Sequence, residues 1–223
     1  RVLFRSRATV GGSDFATYGA NGITAFSNYN NAGAYTDINL AGATDTVKVG
    51  TGFVTTDDIT ANRTINGLNI EDGTARTLTG VANSTLTLSS GAVLVEGGGT
   101  VIHTLSVPRI ALGAEGAFHI APSTTLDVTG TLTGTAGLNK NLGGILTLTG
   151  AQFYTGTTTV NNGSLNLSFG TNTLFPGQAL TVNQSGVVNL NNNNQYVGNL
   201  VGGTNPGSGG TINLGTGLLA INS

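Results

Sequence analysis

Residues 137–167 read GLNKNLGGILTLTGAQFYTGTTTVNNGSLNL, and their alternation is the strongest structural signal in the chain. In Leu146-Thr147-Leu148-Thr149 and Leu165-Asn166-Leu167-Ser168 apolar and polar residues take turns with period two, as in a strand with one buried face. Asn162-Gly163 breaks the run with residues that accept positive φ. The pattern then recurs. TVNNGSLNL from Thr159 aligns with TVNQSGVVNL from Thr181, and TINLGTGLLAIN from Thr211 is a looser third copy. Val160 and Val182 are equivalent positions in the first two copies, and Val128 and Leu148 stand in the same relation in TLDVTGTLTG and ILTLTG. Short strands repeated at so regular a spacing predict the coils of a parallel β-helix.

Stacking explains the choice of amino acids. Equivalent residues on successive coils lie about 4.8 Å apart, where like charges repel but Thr, Ser and Asn hydrogen-bond to their copies above and below. Charged residues are accordingly only 8% of the chain, Gly is 36 of 223, and Glu and Lys, the helix formers, number three and two. The first half repeats in the same style with TINGLNI from Thr64, STLTLSSGAVLV from Ser84 and TLSVPRIAL from Thr104. Pro108 falls within the last of these and marks a kink or an edge. The expected fold is all-β, a parallel β-solenoid over residues 36–223. At roughly 20–22 residues per coil it has about ten rungs and a length near 45–50 Å.

Residues 7–35, less regular and rich in Asn, Gly and aromatics, are expected to form an irregular segment or cap. Arg1-Val2-Leu3-Phe4-Arg5-Ser6 is unlike everything after it and back-translates to the end of a common sequencing adapter. Residues 1–6 are therefore set apart as an artefact, the alternative being a short native strand.

The repeat at 137–167 resembles the autotransporter-associated β-strand repeat, also called the passenger-associated transport repeat. The matching features are Leu138 and Lys140, the pair Gly143 and Gly144, Leu146 and Leu148 in their alternating run, Gly150, Tyr154-Thr155-Gly156, the strand ending at Val160, Gly163 and the closing Leu165. Leu142 stands where that family usually has Gly, and Gln152-Phe153 replaces a more common Asn-containing lead to the Tyr. The resemblance is specific over 137–167 and looser over most of the chain. It implies a right-handed, single-stranded β-helix rod on the cell surface or secreted, exported across the outer membrane of a Gram-negative-type cell. It also implies a translocator barrel in the full-length protein. No barrel-type strands with aromatic girdles are visible here, and the chain reads as a fragment whose open ends favour end-to-end self-association.

Other chemistries find little support. A net charge of −2 without a basic stripe argues against nucleic acid. Absence of Cys excludes disulfides and thiolate metal sites. No apolar run is long enough to span a membrane. His103 and His119, each flanked by strand residues, read as solvent-facing positions without a nucleophile partner. Gly11-Gly12-Ser13-Asp14 occurs once, too little for a calcium-binding repeat. Tyr154 and Tyr196 are expected to pack over the edge of a rung, and the run Asn191 to Asn194 to turn a tight corner.

The alternative function is that of a β-helix polysaccharide lyase or glycosidase acting on acidic polysaccharide, with the paired carboxylates Asp57-Asp58 and Glu71-Asp72 as its candidates and Arg76 (or Arg63) as the base of a calcium-assisted lyase. Asp57 and Asp58 are neighbours on a strand and point to opposite faces, so one groove does not take both unless the strand bulges there. The leading expectation is non-catalytic: a spacer or multivalent adhesive rod, with surface glycans or other cells as partners and no cofactor or metal.

Overall fold

The computed structural model describes residues 8–71, 73–203 and 207–222. From Thr46 onward the chain winds through three parallel walls in turn, with no third-wall strand between Thr158–Leu167 and Ala179–Asn189. The first wall begins with the strand Thr46–Val49, the second with Thr56–Ile59, and the third with the N-terminal half of Arg63–Ile70, whose other half returns to the first wall. On the first wall Val47 pairs with Leu68, Leu68 with Val93, Phe118 with Lys140, and Val160 with Val182, all in parallel register. The solenoid has about eight turns.

A uniform coil predicts about ten turns. The observed coils are not uniform: a short one runs from Ile145 to its register partner Ser164, whereas a long one runs from Thr77 to Thr104. Loops at the corners absorb the excess, and the residues before Thr46 add no coil. Eight spacings of about 4.8 Å make the stack nearly 40 Å long.

Alternation puts every second residue inside. On the second wall the column Leu78, Leu105, Val128, Leu148 and Leu167 is buried, as is Leu86, Ile110 and Leu132 on the third. Each such aliphatic side chain contributes roughly 1.5–3 kcal/mol through removal from water. Pro108 does not lie in a strand. It occupies the corner between Val101–Leu105 and Arg109–Leu112, where its missing N–H is harmless and its carbonyl accepts from Thr131 N at 3.1 Å.

Residues 8–41 do two things. A small antiparallel sheet, Thr9–Val10 with Asp14–Gly19 and Gly22–Ala25, leads to a strap that lies against the outside of the first wall. There Phe15 and Tyr29, with Phe26, cover Ala92 and Leu94, residues that point away from the main core yet are fully buried. Tyr35, Ile38 and Ala41 then turn over the first coil and join the main core. The 3₁₀ turn Ile38–Leu40 is capped by Asp37, whose carboxylate accepts from Asn39 N at 2.8 Å.

Candidate functional site

The acidic candidates come first. Asp57 is in register with Leu78 and points inward, 6% exposed. Its carboxylate accepts from the backbone N–H of Ile38 at 3.2 Å and of Asp58 at 3.0 Å, tying the covering turn to the first coil. Burial, aided by the charges of Asp37 and Asp58, holds its pKa above the usual value despite those two bonds. Asp58 points out and accepts from Thr79 Oγ1 at 2.8 Å on the next coil.

Glu71 follows the first-wall strand and accepts from the N–H and hydroxyl of Thr51 one coil below. Burial pushes its pKa up, but the Thr51 bonds with the charges of Lys48 and Arg76 outweigh this and leave it lowered. Arg76 donates through Nη1 to the carbonyl of Phe53 at 3.0 Å, and Arg63 likewise to Ala41 at 3.1 Å. Asp72 lies outside the described residues. Asp57, Asp58 and Glu71 therefore face three different surroundings: Asp57 ties the covering turn to the first coil, and Asp58 and Glu71 each join one coil to the next. Among the described residues no group of three or more His, Asp or Glu is placed to hold a metal ion.

Both histidines differ from expectation. His103 pairs with Leu126 and points into the core, 0% exposed, its Nδ1 accepting from Arg76 N at 3.2 Å. Ile102 is the outward residue, 55% exposed. Local hydrophobicity suggests the opposite phase; register with the Leu126 column sets it. His119 does point outward, between Leu94 and Asn141 in register, but on the wall beside the strap it is only 7% exposed.

The repeat residues hold corners and core. Leu138, Leu146, Leu148, Val160 and Leu165 are fully buried. Lys140 sits in an interior column between Phe118 and Val160, 0% exposed, where a hydrophobic residue belongs. Its Nζ donates to the carbonyls of Asn141 at 3.0 Å, Leu142 at 2.7 Å and Asn162 at 3.0 Å, closing the corners of two successive coils. Burial pushes its pKa down to about 7.

Tyr154 is wholly inside rather than over a rung edge, and its hydroxyl meets Thr158 Oγ1 at 2.6 Å. Gln178 completes that cluster. With its amide turned so that both ends are satisfied, it accepts from Thr158 Oγ1 at 2.9 Å and donates to the carbonyls of Tyr154 at 3.2 Å and Gly156 at 2.9 Å. Gln152 works the same way, its oxygen accepting from Leu132 N at 2.7 Å. At Gly144, Gly150, Gly156 and Gly163 backbone of the coil below lies where a Cβ would stand, whereas Gly143 faces only the ring of Pro122. A buried amide or ammonium at a corner was not predicted, because sequence alone does not say which polar residues turn inward.

No protein-family model, curated protein or solved structure matches this chain.

Outside, the walls are ladders of short polar side chains. Asn183 Nδ2 donates to Asn161 Oδ1 at 2.6 Å, and Asn161 Nδ2 to Asn141 Oδ1 at 2.8 Å. On the second wall Asn213 donates to Asn189 at 2.8 Å and Asn189 to Asn166 at 2.7 Å. The run 191–194 turns a corner, with Asn191 and Asn192 at φ 50° and 66°, and it too binds along the stack. Asn191 Nδ2 donates to Ser168 Oγ at 2.8 Å, and Asn194 Oδ1 accepts from Leu218 N at 2.9 Å.

Proposed function

We propose that this chain is a segment of a surface-exposed or secreted β-solenoid passenger of the autotransporter-repeat type, serving as a spacer or multivalent adhesive rod and not as an enzyme. One observation carries the reading: each of Asp57, Asp58 and Glu71 is taken up in structural hydrogen bonds, Asp57 with the covering turn and Asp58 and Glu71 with a neighbouring coil. Glycoside hydrolysis needs a pair of carboxyl groups flanking one bond. The ladders of Asn and Thr support it further, since they repeat one weak contact chemistry along the stack, which suits multivalent attachment. Export across the outer membrane, with a translocator elsewhere in the full-length protein, belongs to the same proposal and rests on the 137–167 motif alone.

The test is turnover. Folded chain, shown by a cooperative thermal transition, is incubated with acidic and neutral polysaccharides with and without calcium, and new reducing or unsaturated ends are followed. No turnover is expected on any of them. Cleavage that is lost in Asp57→Asn or Glu71→Gln, with the melting transition retained, would sink the non-catalytic reading.

A further inference from the structure

The third wall carries a feature that the solenoid's architecture does not require. Among the described residues, the Lys and Arg side chains are used up in structure with one exception. Lys48 pairs with Glu96 at 2.6 Å and Asp14 at 3.8 Å, while Arg63, Arg76 and Lys140 donate to backbone carbonyls. Arg109 is exposed and, among the described residues, has neither a hydrogen bond nor an ion pair through its side chain. Beside it an open groove of about 630 Å³ is lined by Asn83, Pro108, Arg109, Thr131, Thr133 and Phe153. Among the described residues no carboxylate lines it.

The groove is built on paired strands. Arg109 pairs with Thr85 on one side and Thr131 on the other, and Thr133 pairs with Phe153 one coil further on. Arg109 and Phe153 thus stand on the same outward face, two coils apart, which is roughly 9–10 Å along the stack. Phe153 is 55% exposed where the register neighbours on its wall are Thr and Ala. Between the cation and the ring lie two threonine hydroxyls free to face a ligand.

We infer that this groove binds an acidic oligosaccharide through a uronic acid unit, with Arg109 on the carboxylate, Phe153 stacked against the apolar face of an adjacent pyranose, and Thr131 and Thr133 on ring hydroxyls. This deepens the adhesive reading and rests on it. Chemistry selects the occupant. A guanidinium is a planar fork matched to a carboxylate, and an exposed ring offers a flat apolar platform. A hydroxyl-lined floor suits a ligand that is itself covered in hydroxyls. The volume lies in the range of small-ligand sites.

The experiment is calorimetric titration of the full chain with hexagalacturonate and with its methyl ester, up to millimolar concentrations, alongside Arg109→Ala, Arg109→Lys and Phe153→Ala. Asp127→Asn, on the second wall, serves as the control. The acid form is expected to bind and the ester to bind at least about tenfold more weakly. Arg109→Ala and Phe153→Ala should each lose about fivefold or more, Arg109→Lys should fall between Arg109→Ala and the unaltered chain, and Asp127→Asn should change nothing. Since Arg109 and Phe153 are exposed, melting midpoints of their variants should match the unaltered chain.

Absence of binding, or binding unmoved by Arg109→Ala and Phe153→Ala, overturns the site. So does equal binding of poly-glutamate with the same sensitivity to the variants, which would make the occupant an acidic peptide. The turnover assay keeps the two proposals separate. No binding and no cleavage removes the groove and leaves the rod, whereas cleavage of the bound saccharide removes the non-catalytic reading and leaves the groove.

Discussion

At the scale of single residues, polar groups placed inside or stacked outside decide how the coils hold together. Lys140 is the clearest case. An unfolded lysine titrates near 10.5, and burial brings this one to about 7. Between those values the unfolded chain binds more protons, so stability should rise with pH. From pH 7 to about 9.5 a gain is expected, reduced by the one carbonyl bond that the neutral amine with its two N–H groups gives up, and Lys140→Met should flatten it. Denaturant titrations across that range, in both chains, check it; parallel pH profiles would refute the assignment.

Leu142 holds φ at +63°, a left-handed conformation that disfavours any side chain. Leu142→Gly is therefore expected to raise the melting midpoint, by up to about 1 kcal/mol in stability. In the second-wall ladder Asn189 both donates to Asn166 and accepts from Asn213. Asp at that position keeps the acceptor and loses the donor, so Asn189→Asp should cost about 1–2 kcal/mol at neutral pH and recover on acidification. An effect that persists at low pH would point elsewhere.

At the scale of elements, corners and strap carry different loads. Gly163 combines φ +70° with the carbonyl of Gly144 standing where a Cβ would go. Gly163→Ala should therefore lower the global melting transition, by roughly 2 kcal/mol or more, since both backbone strain and a clash are introduced. The strap behaves otherwise. Phe15 belongs to a cluster with Tyr29, Ala92 and Leu94 that is separate from the main core. Around it Tyr29 Oη accepts from Phe15 N at 3.0 Å, and Lys48 lies 5.4 Å from the Tyr29 ring. Phe15→Ala removes the largest apolar side chain of that contact. Limited proteolysis should then cut within residues 8–29 far faster, while the global midpoint moves little, as expected for a locally unfolding unit. Loss of the whole solenoid at once would mean that the strap is part of its cooperative core.

At the scale of the whole molecule, one long apolar core runs through about eight turns, each coil touching mainly its neighbours. Charge contributes little to it: the described ion pairs both involve Lys48, at the first turn. Raising sodium chloride from low to high concentration should therefore change unfolding free energy by less than about 1 kcal/mol, whereas glycan binding at the Arg109 groove should weaken as salt screens it.

Composition and period-two alternation were enough to specify an all-β parallel solenoid, because stacked coils need short polar side chains outside and aliphatic ones inside whatever the details of the corners. The outward ladders, the inward Leu and Val columns and the left-handed Asn corners at 191–192 follow from the same local chemistry. Tertiary structure alone settled the rest. His103 faces inward because its strand takes its phase from the Leu126 column, Lys140 enters the core because two corners present carbonyls to it, and His119 and Leu94 are shielded on the wall that a strap from far along the chain lies against. The groove at Arg109 and Phe153 exists only once residues distant in the chain lie two coils apart in space. A sequence displays the period of a strand, but which residues become neighbours depends on coil lengths, and these differ from the short Ile145-to-Ser164 coil to the long one from Thr77 to Thr104.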